Sequence, residues 1–160
     1  MLYALLIVFA GIIVVVDQFT KYLTVTHIPL GDAVPAIPRL FQFTYVRNTG
    51  MAFSLLRGGR WFFLVVTVLA LAMIVLAVKR RWVNHPVGLW ALGAIAGGAV
   101  GNLIDRVRLG YVIDMIEVTF VRFAVFNVAD CFVVCGGILL VIYAFFFDKP
   151  LEENNHDSAG

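Results

Sequence analysis

The chain has 160 residues and, with 12 Lys and Arg against 10 Asp and Glu, a formal net charge of +2. Hydrophobic residues make up 62% and charged residues 14%, where soluble domains run at about 45–50% and about 25%. The mean hydropathy is +0.96. These values exclude an ordinary soluble domain, and with no basic patch carrying interleaved aromatics they exclude a nucleic-acid partner too.

The first run free of charge is Leu2 to Val16. A spanning helix takes about 20 apolar residues, so this run spans only if the helix continues through Asp17 and Lys21. Met1 is followed directly by Leu2, with no basic n-region, and no small-x-small cleavage site comes after the run. The segment therefore reads as a retained span over about 2–22, not a cleaved signal peptide. Asp17 and Lys21 are four apart and can pair along the helix, while Lys21 can snorkel to the interface. Anchoring and chemistry are both open for this pair.

A loop over 24–60 follows. Pro29, Pro35 and Pro38 break helix early in it, and Phe41 to Arg47 then alternates apolar with polar in an aromatic-rich run. That period of two is the pattern of a half-buried strand. Asn48-Thr49-Gly50 reads as a turn and Met51 to Leu56 as a second short strand, giving a small hairpin or cradle on the membrane surface.

Trp61 to Val78 and Val87 to Ile104 are charge-free spans two and three, and Cys131 to Phe147 anchors span four, over about 129–147. Lys79, Arg80 and Arg81 crowd the short second loop and mark it as cytoplasmic. Both termini then lie on that side, and the loops over 24–60 and 106–127 lie outside. Gly93, Gly97 and Gly101 recur at four-residue spacing on span three and permit close helix approach, with Gly136 and Gly137 of span four as the expected counterpart. Cys131 and Cys135 read as small buried hydrophobes. The tail over 148–160 is polar and acidic, the composition of a disordered segment. The expected fold class is an all-α membrane protein, four transmembrane helices with a small extracytoplasmic β-cradle, forming one domain over 1–147.

Ionisable groups at membrane depth are costly and are functional candidates by default. Alternating topology brings Asp105, Arg106, Asp114, Asp130 and the Asn48–Gly50 turn to one face. Asp114 and Asp130 sit among apolar neighbours without a local cation in sequence. Two carboxylates in a low-dielectric site share a proton, one acting as a base toward water and the other as an acid toward a carbonyl oxygen. Helices three and four are expected to hold these acids. Asp130, near the start of span four, is the expected carboxylate of the two. Paired Asp also serves proton-coupled transport, and a structural scaffold is a third reading. No His-Glu-x-x-His metal motif is present. Ser54 with Lys21 is the rival nucleophile–base pair.

The motifs Asp17-Gln18-Phe19-Thr20-Lys21, Asn48-Thr49-Gly50-Met51-Ala52-Phe53-Ser54, Gly101-Asn102-Leu103-Ile104-Asp105-Arg106, Val112-Ile113-Asp114 and Phe126-Asn127-Val128-Ala129-Asp130 resemble, in order and spacing, those of the bacterial lipoprotein signal peptidases, or signal peptidase II. The resemblance covers roughly Leu2 to Phe147. It implies an aspartic endopeptidase, free of metal and other cofactors, that cuts a prolipoprotein just before its diacylglyceryl-modified cysteine. By motif match Asp114 and Asp130 are the catalytic pair. Asn48, Asn102, Arg106 and Asn127 match substrate-binding positions, and Asp17, Lys21, Gly50 and Asp105 match supporting ones. The implied setting is the bacterial inner membrane, with the site at the outer leaflet, membrane lipid around it, globomycin-like cyclic peptides as inhibitors, and a monomer as the working form. Met115 departs from the family's usual Phe after the first catalytic Asp; a small change in packing is expected.

Overall fold

The computed structural model describes residues 2–50 and 59–147. The second strand expected over Met51 to Leu56, Ser54, and the tail over 148–160 lie outside the described residues. Among the described residues four helices are long and apolar enough to cross a membrane: α1 (Leu2–His27), α2 (Arg60–Lys79), α3 (Pro86–Arg108) and α4 (Val128–Phe146). At about 1.5 Å per residue, the 26 residues of α1 reach roughly 39 Å, beyond a hydrocarbon core of about 30 Å. The C-terminal part of α1, where Asp17, Lys21 and Thr24 are buried, reaches the sheet.

Large apolar side chains cover the outside, with Ile7, Trp61 and Phe145 among the most exposed. In water such a surface would aggregate; against lipid it is the expected face, because helices satisfy their own backbone. Polarity is concentrated inside instead, where Asp17, Lys21, Asn102, Asp105, Asp114 and Asn127 are buried.

α3 is the central helix, packing on α1, α2 and α4. Its glycines divide between two partners. A Cβ on Gly97 would meet the Ala10 carbonyl oxygen and the Ile13 Cβ at 2.9 Å, and one on Gly98 would overlap the Ala129 carbonyl oxygen. Backbone therefore approaches backbone on both sides of α3. The counterpart of the Gly97–Gly101 stripe is α1, which corrects the expectation for Gly136 and Gly137. Gly136 packs instead on Ala91 and Ile95, and Gly137 has nothing within 4 Å. Cys131 and Cys135 are free thiols, half-buried and exposed respectively, so neither is the buried hydrophobe expected.

A three-stranded sheet caps one end: β1 (Ala33–Ile37), β2 (Phe41–Asn48) and β3 (Val112–Val118), antiparallel in the order β1-β2-β3. β2 is the strand that the alternation marked. Its described partners are β1 and β3. Pro35 sits on edge strand β1, where its missing N–H is tolerated. Ile28, Tyr45, Ile113 and Met115 form the core beneath the sheet, so Met115 fills an interior position.

Candidate active site

Asp130 lies in the first turn of α4. Asn127 caps this helix: its Oδ1 accepts from the Asp130 N–H at 2.9 Å, and the Asn127 N–H donates back to Asp130 Oδ2 at 3.2 Å. This reciprocal pair is a capping box, which satisfies orphan donors at a helix start. Because Oδ1 is committed to the cap, the amide nitrogen of Asn127 is turned the other way. It donates to Asp114 Oδ1 at 2.7 Å and to Asn102 Oδ1 at 3.0 Å.

Asp114 lies on β3, so the expectation that helices three and four hold the acids is corrected for this residue: only Asp130 is on a helix. Within the apolar run Tyr111 to Ile116, Val112 to Met115 are consecutive buried strand residues, a pattern that periodicity alone does not separate from helix. A register shift in the β2–β3 pairing falls between Phe43 and Val46, with Val46 facing Asp114, and such a bulge re-aims nearby side chains. On its other edge β3 bridges Phe126 through Ile116, which sets the next residue, Asn127, beside Asp114.

Asn48 ends β2 and donates to Asp114 Oδ2 at 2.8 Å, while its own Oδ1 accepts from the Gly50 N–H at 2.8 Å. Gly50 has φ +82°, and a Cβ there would run into the Phe63 ring. The same ring lies 5.1 Å from the Arg106 guanidinium carbon, within cation–π range. Arg106 is close enough to interact electrostatically with Asp130, Asp114 and Asp105.

Asn102, on α3, donates to Asp130 Oδ1 at 2.8 Å. Its Oδ1 accepts from both Asn127 and the Lys21 ammonium, the latter at 3.0 Å. The two acids are thus joined by a chain of amides, Asp114–Asn127–Asn102–Asp130, with every amide orientation set by what its oxygen accepts.

Behind this chain Lys21 forms ion pairs with Asp17 at 2.8 Å and Asp105 at 2.9 Å, all three side chains being at most 3% exposed. Each acid also accepts from backbone, Asp17 from the Ala129 N–H at 3.0 Å and Asp105 from the Ile113 N–H at 3.1 Å. Those two bonds tie α4 and β3, the elements bearing the acid pair, to α1 and α3. Gln18 donates to Asp105 Oδ1, Asp17 Oδ2 and the Gly101 carbonyl. Neither Gln18 nor Phe63 is singled out by sequence reasoning. Gln18 had one available signal, its place between Asp17 and Lys21 on a helix turn that is otherwise apolar on that side.

Asp114 is 1% exposed. Burial, the largest influence, pushes its carboxyl up from the ordinary 3.8 to about 6; the Asn48 and Asn127 amides and the Lys21 charge draw it down, and the Asp130 charge raises it. The arrangement supplies one carboxyl that retains its proton into mildly acidic conditions, a second on a helix start, a nearby cation and oriented amides.

Together these features define the class: a four-span membrane protein whose small sheet and helix ends gather at one end an acid pair, Asp114 buried and Asp130 half-buried. The family model described as "Signal peptidase (SPase) II" matches residues 9–146. A curated lipoprotein signal peptidase of Streptococcus pyogenes serotype M5 (strain Manfredo) is 46% identical over 135 residues, covering 82% of this chain and 86% of that protein. A solved structure titled as a bacterial membrane enzyme by the in meso method at 1.9 Å resolution superposes with a TM-score of 0.84 at 33% identity, covering 91% of this chain and 95% of that one. A second, at 2.3 Å, gives 0.82 at 33% identity over 89% and 88%. The chain belongs to the signal peptidase II family and is an aspartic-type peptidase of that family.

Proposed function

We propose that this protein removes the signal peptide from diacylglyceryl-modified prolipoproteins, cutting just before the lipidated cysteine, with Asp114 and Asp130 as the catalytic pair. The observation that carries the reading is the amide chain that holds two carboxyls of unlike environment at one site.

Asp130, as carboxylate, takes a proton from water while the water oxygen attacks the scissile carbonyl carbon. Asp114, as the acid, gives its proton to the carbonyl oxygen. Collapse of the tetrahedral adduct breaks the C–N bond as one of its hydroxyls returns a proton to Asp114, and the proton held on Asp130 passes to the leaving nitrogen of the cysteine. This division follows the environments: burial keeps Asp114 protonated up to about 6, and Asp130 receives a helix-start N–H and the Asn102 amide. Asn48, Asn102, Asn127 and Arg106 contact substrate at the rim of the pair, while Asp17, Lys21, Asp105 and Gly50 hold the frame.

The peptidase domain occupies 1–147, with 148–160 a polar tail. The basic cluster at 79–81 supports cytoplasmic termini, and the acid pair at the opposite end then lies at the outer leaflet of the bacterial inner membrane, where a lipidated substrate is presented. The protein works as a monomer, surrounded by membrane lipid, and a globomycin-type cyclic peptide blocks it by occupying the substrate's place.

The rival Ser54–Lys21 mechanism needs a lysine free to act as base, whereas Lys21 has three acceptors. The test is cleavage of a synthetic diacylglyceryl-modified prolipoprotein by the purified protein, with and without a strong metal chelator. Undiminished cleavage in chelator and no cleavage of the unmodified precursor are expected. Loss of activity in chelator, restored by metal, would overturn the Asp-pair mechanism.

A further inference from the structure

α2 packs against α3 and no other described element, and none of its residues is buried. Standing off from α1, it leaves an apolar groove of about 550 Å³ between the two, floored by α3. Leu6 and Ile7 form one wall, Ile74 and Val78 the other, and Leu92 and Gly93 the floor. These residues belong to the first turns of α1, the last of α2 and the first of α3, so the groove lies at the end of the bundle away from Asp114 and Asp130.

Lys79 and Arg81 border the groove at its mouth. Arg81 follows the end of α2 with φ 57°, and among the described residues neither cation makes an ion pair. A narrow apolar trough ending at two unpaired cations has the chemistry of one amphiphile, an acyl chain with an anionic head. It is too small for a helix: a spanning segment about 10 Å across and 30 Å long has several times this volume.

We propose that the groove binds one anionic phospholipid of the leaflet at that end of the bundle, an acyl chain lying between α1 and α2 and the phosphate between Lys79 and Arg81. Lipid here would fill the gap that leaves α2 supported on one side only, and so fix where α2 stands. α2 carries Phe63 at its other end, the ring against which Gly50 and Arg106 pack.

The test is native mass spectrometry of the purified full-length protein, titrated in detergent with phosphatidylglycerol or with phosphatidylcholine of the same acyl chains. One phosphatidylglycerol retained at least tenfold more strongly than phosphatidylcholine is expected. The Lys79→Gln/Arg81→Asn double variant should bind the two lipids equally; Asn tolerates the left-handed backbone, so the turn is kept. Ile7→Trp, at a position 74% exposed, fills the trough from the lipid side and should reduce retention of both lipids tenfold or more. Millimolar glycerol 3-phosphate, which has the head but no chains, should not compete. Equal retention of the two lipids by the unaltered protein, an unchanged preference in the double variant, competition by glycerol 3-phosphate, or displacement of lipid by an apolar spanning peptide would each overturn the proposal.

Discussion

The Lys21 ammonium donates to Asn102 Oδ1 at 3.0 Å, and that bond decides which way the Asn102 amide faces. With its oxygen turned to Lys21, its nitrogen points to Asp130 at 2.8 Å. A buried ion-pair cluster is thereby coupled to the acid pair it does not touch.

Removing Lys21 leaves two buried carboxylates, Asp17 and Asp105, without their shared counter-ion. Breaking a buried pair by deleting one partner costs about 3–5 kcal/mol. Lys21→Met should therefore lower the unfolding free energy of the detergent-solubilised protein by that order, and adding Asp17→Asn should recover part of it. An unfolding free energy within about 0.5 kcal/mol of the unaltered protein's would show that the cluster carries no such weight.

Asp114 titrates at about 6 in the fold against an ordinary 3.8, so between these values the folded state holds a proton that the unfolded chain has lost. The associated stabilisation, about 3 kcal/mol at 1.36 kcal/mol per unit, is fully present below about 3.8 and is lost as pH rises through about 6. Asp114→Asn should flatten stability over that window. The same proton is the one the mechanism gives to the carbonyl oxygen, so kcat/KM should fall on the alkaline side. Asn48 holds the carboxyl down, so Asn48→Ala should move the alkaline limb to higher pH. A limb that stays in place would dissociate Asn48 from the acid.

Gly50→Ala meets two obstacles, a positive φ of +82° and the Phe63 ring. The first costs about 1 kcal/mol for a residue with a Cβ; the second displaces the turn that positions Asn48. Cleavage should fall at least tenfold, and Gly50→Ala/Phe63→Ala should recover part of the loss by relieving the overlap alone. Full activity in Gly50→Ala would contradict the packing described.

Asn127→Ala removes a helix cap, worth about 1 kcal/mol, and also the amide between Asp114 and Asn102. The expected signature is a modest drop in stability with a loss of kcat of about a hundredfold or more. A kcat loss no larger than the cap alone explains would confine Asn127 to a structural role.

The spans were legible because charge-free runs of adequate length have no other use in so apolar a chain, and β2 because Phe41 to Arg47 alternates. β1 and β3 were not legible. Pro35 reads as a breaker unless the strand is known to be an edge, and Val112 to Met115 is buried on both faces, so it shows no alternation around Asp114. Depth in an apolar setting pointed to Asp114 and Asp130 themselves. What sequence does not carry is the network between them: that Asn127 spends its oxygen on a cap and Asn102 spends its oxygen on Lys21 follows only from three-dimensional partners. Gly98 escaped for a similar reason: the four-residue stripe beside it drew the packing argument to Gly136 and Gly137, whereas Gly98, off that stripe, is the glycine that meets Ala129 at the start of α4.

The most direct measurement is prolipoprotein cleavage by Asp114→Asn and Asp130→Asn, each purified and shown to insert and fold as the unaltered protein does. Both substitutions keep side-chain size and remove the capacity to exchange the proton, at the cost of one accepted hydrogen bond each. Turnover of the diacylglyceryl-modified substrate should fall at least a thousandfold in each. Processing by either variant at a rate close to that of the unaltered protein would contradict the account.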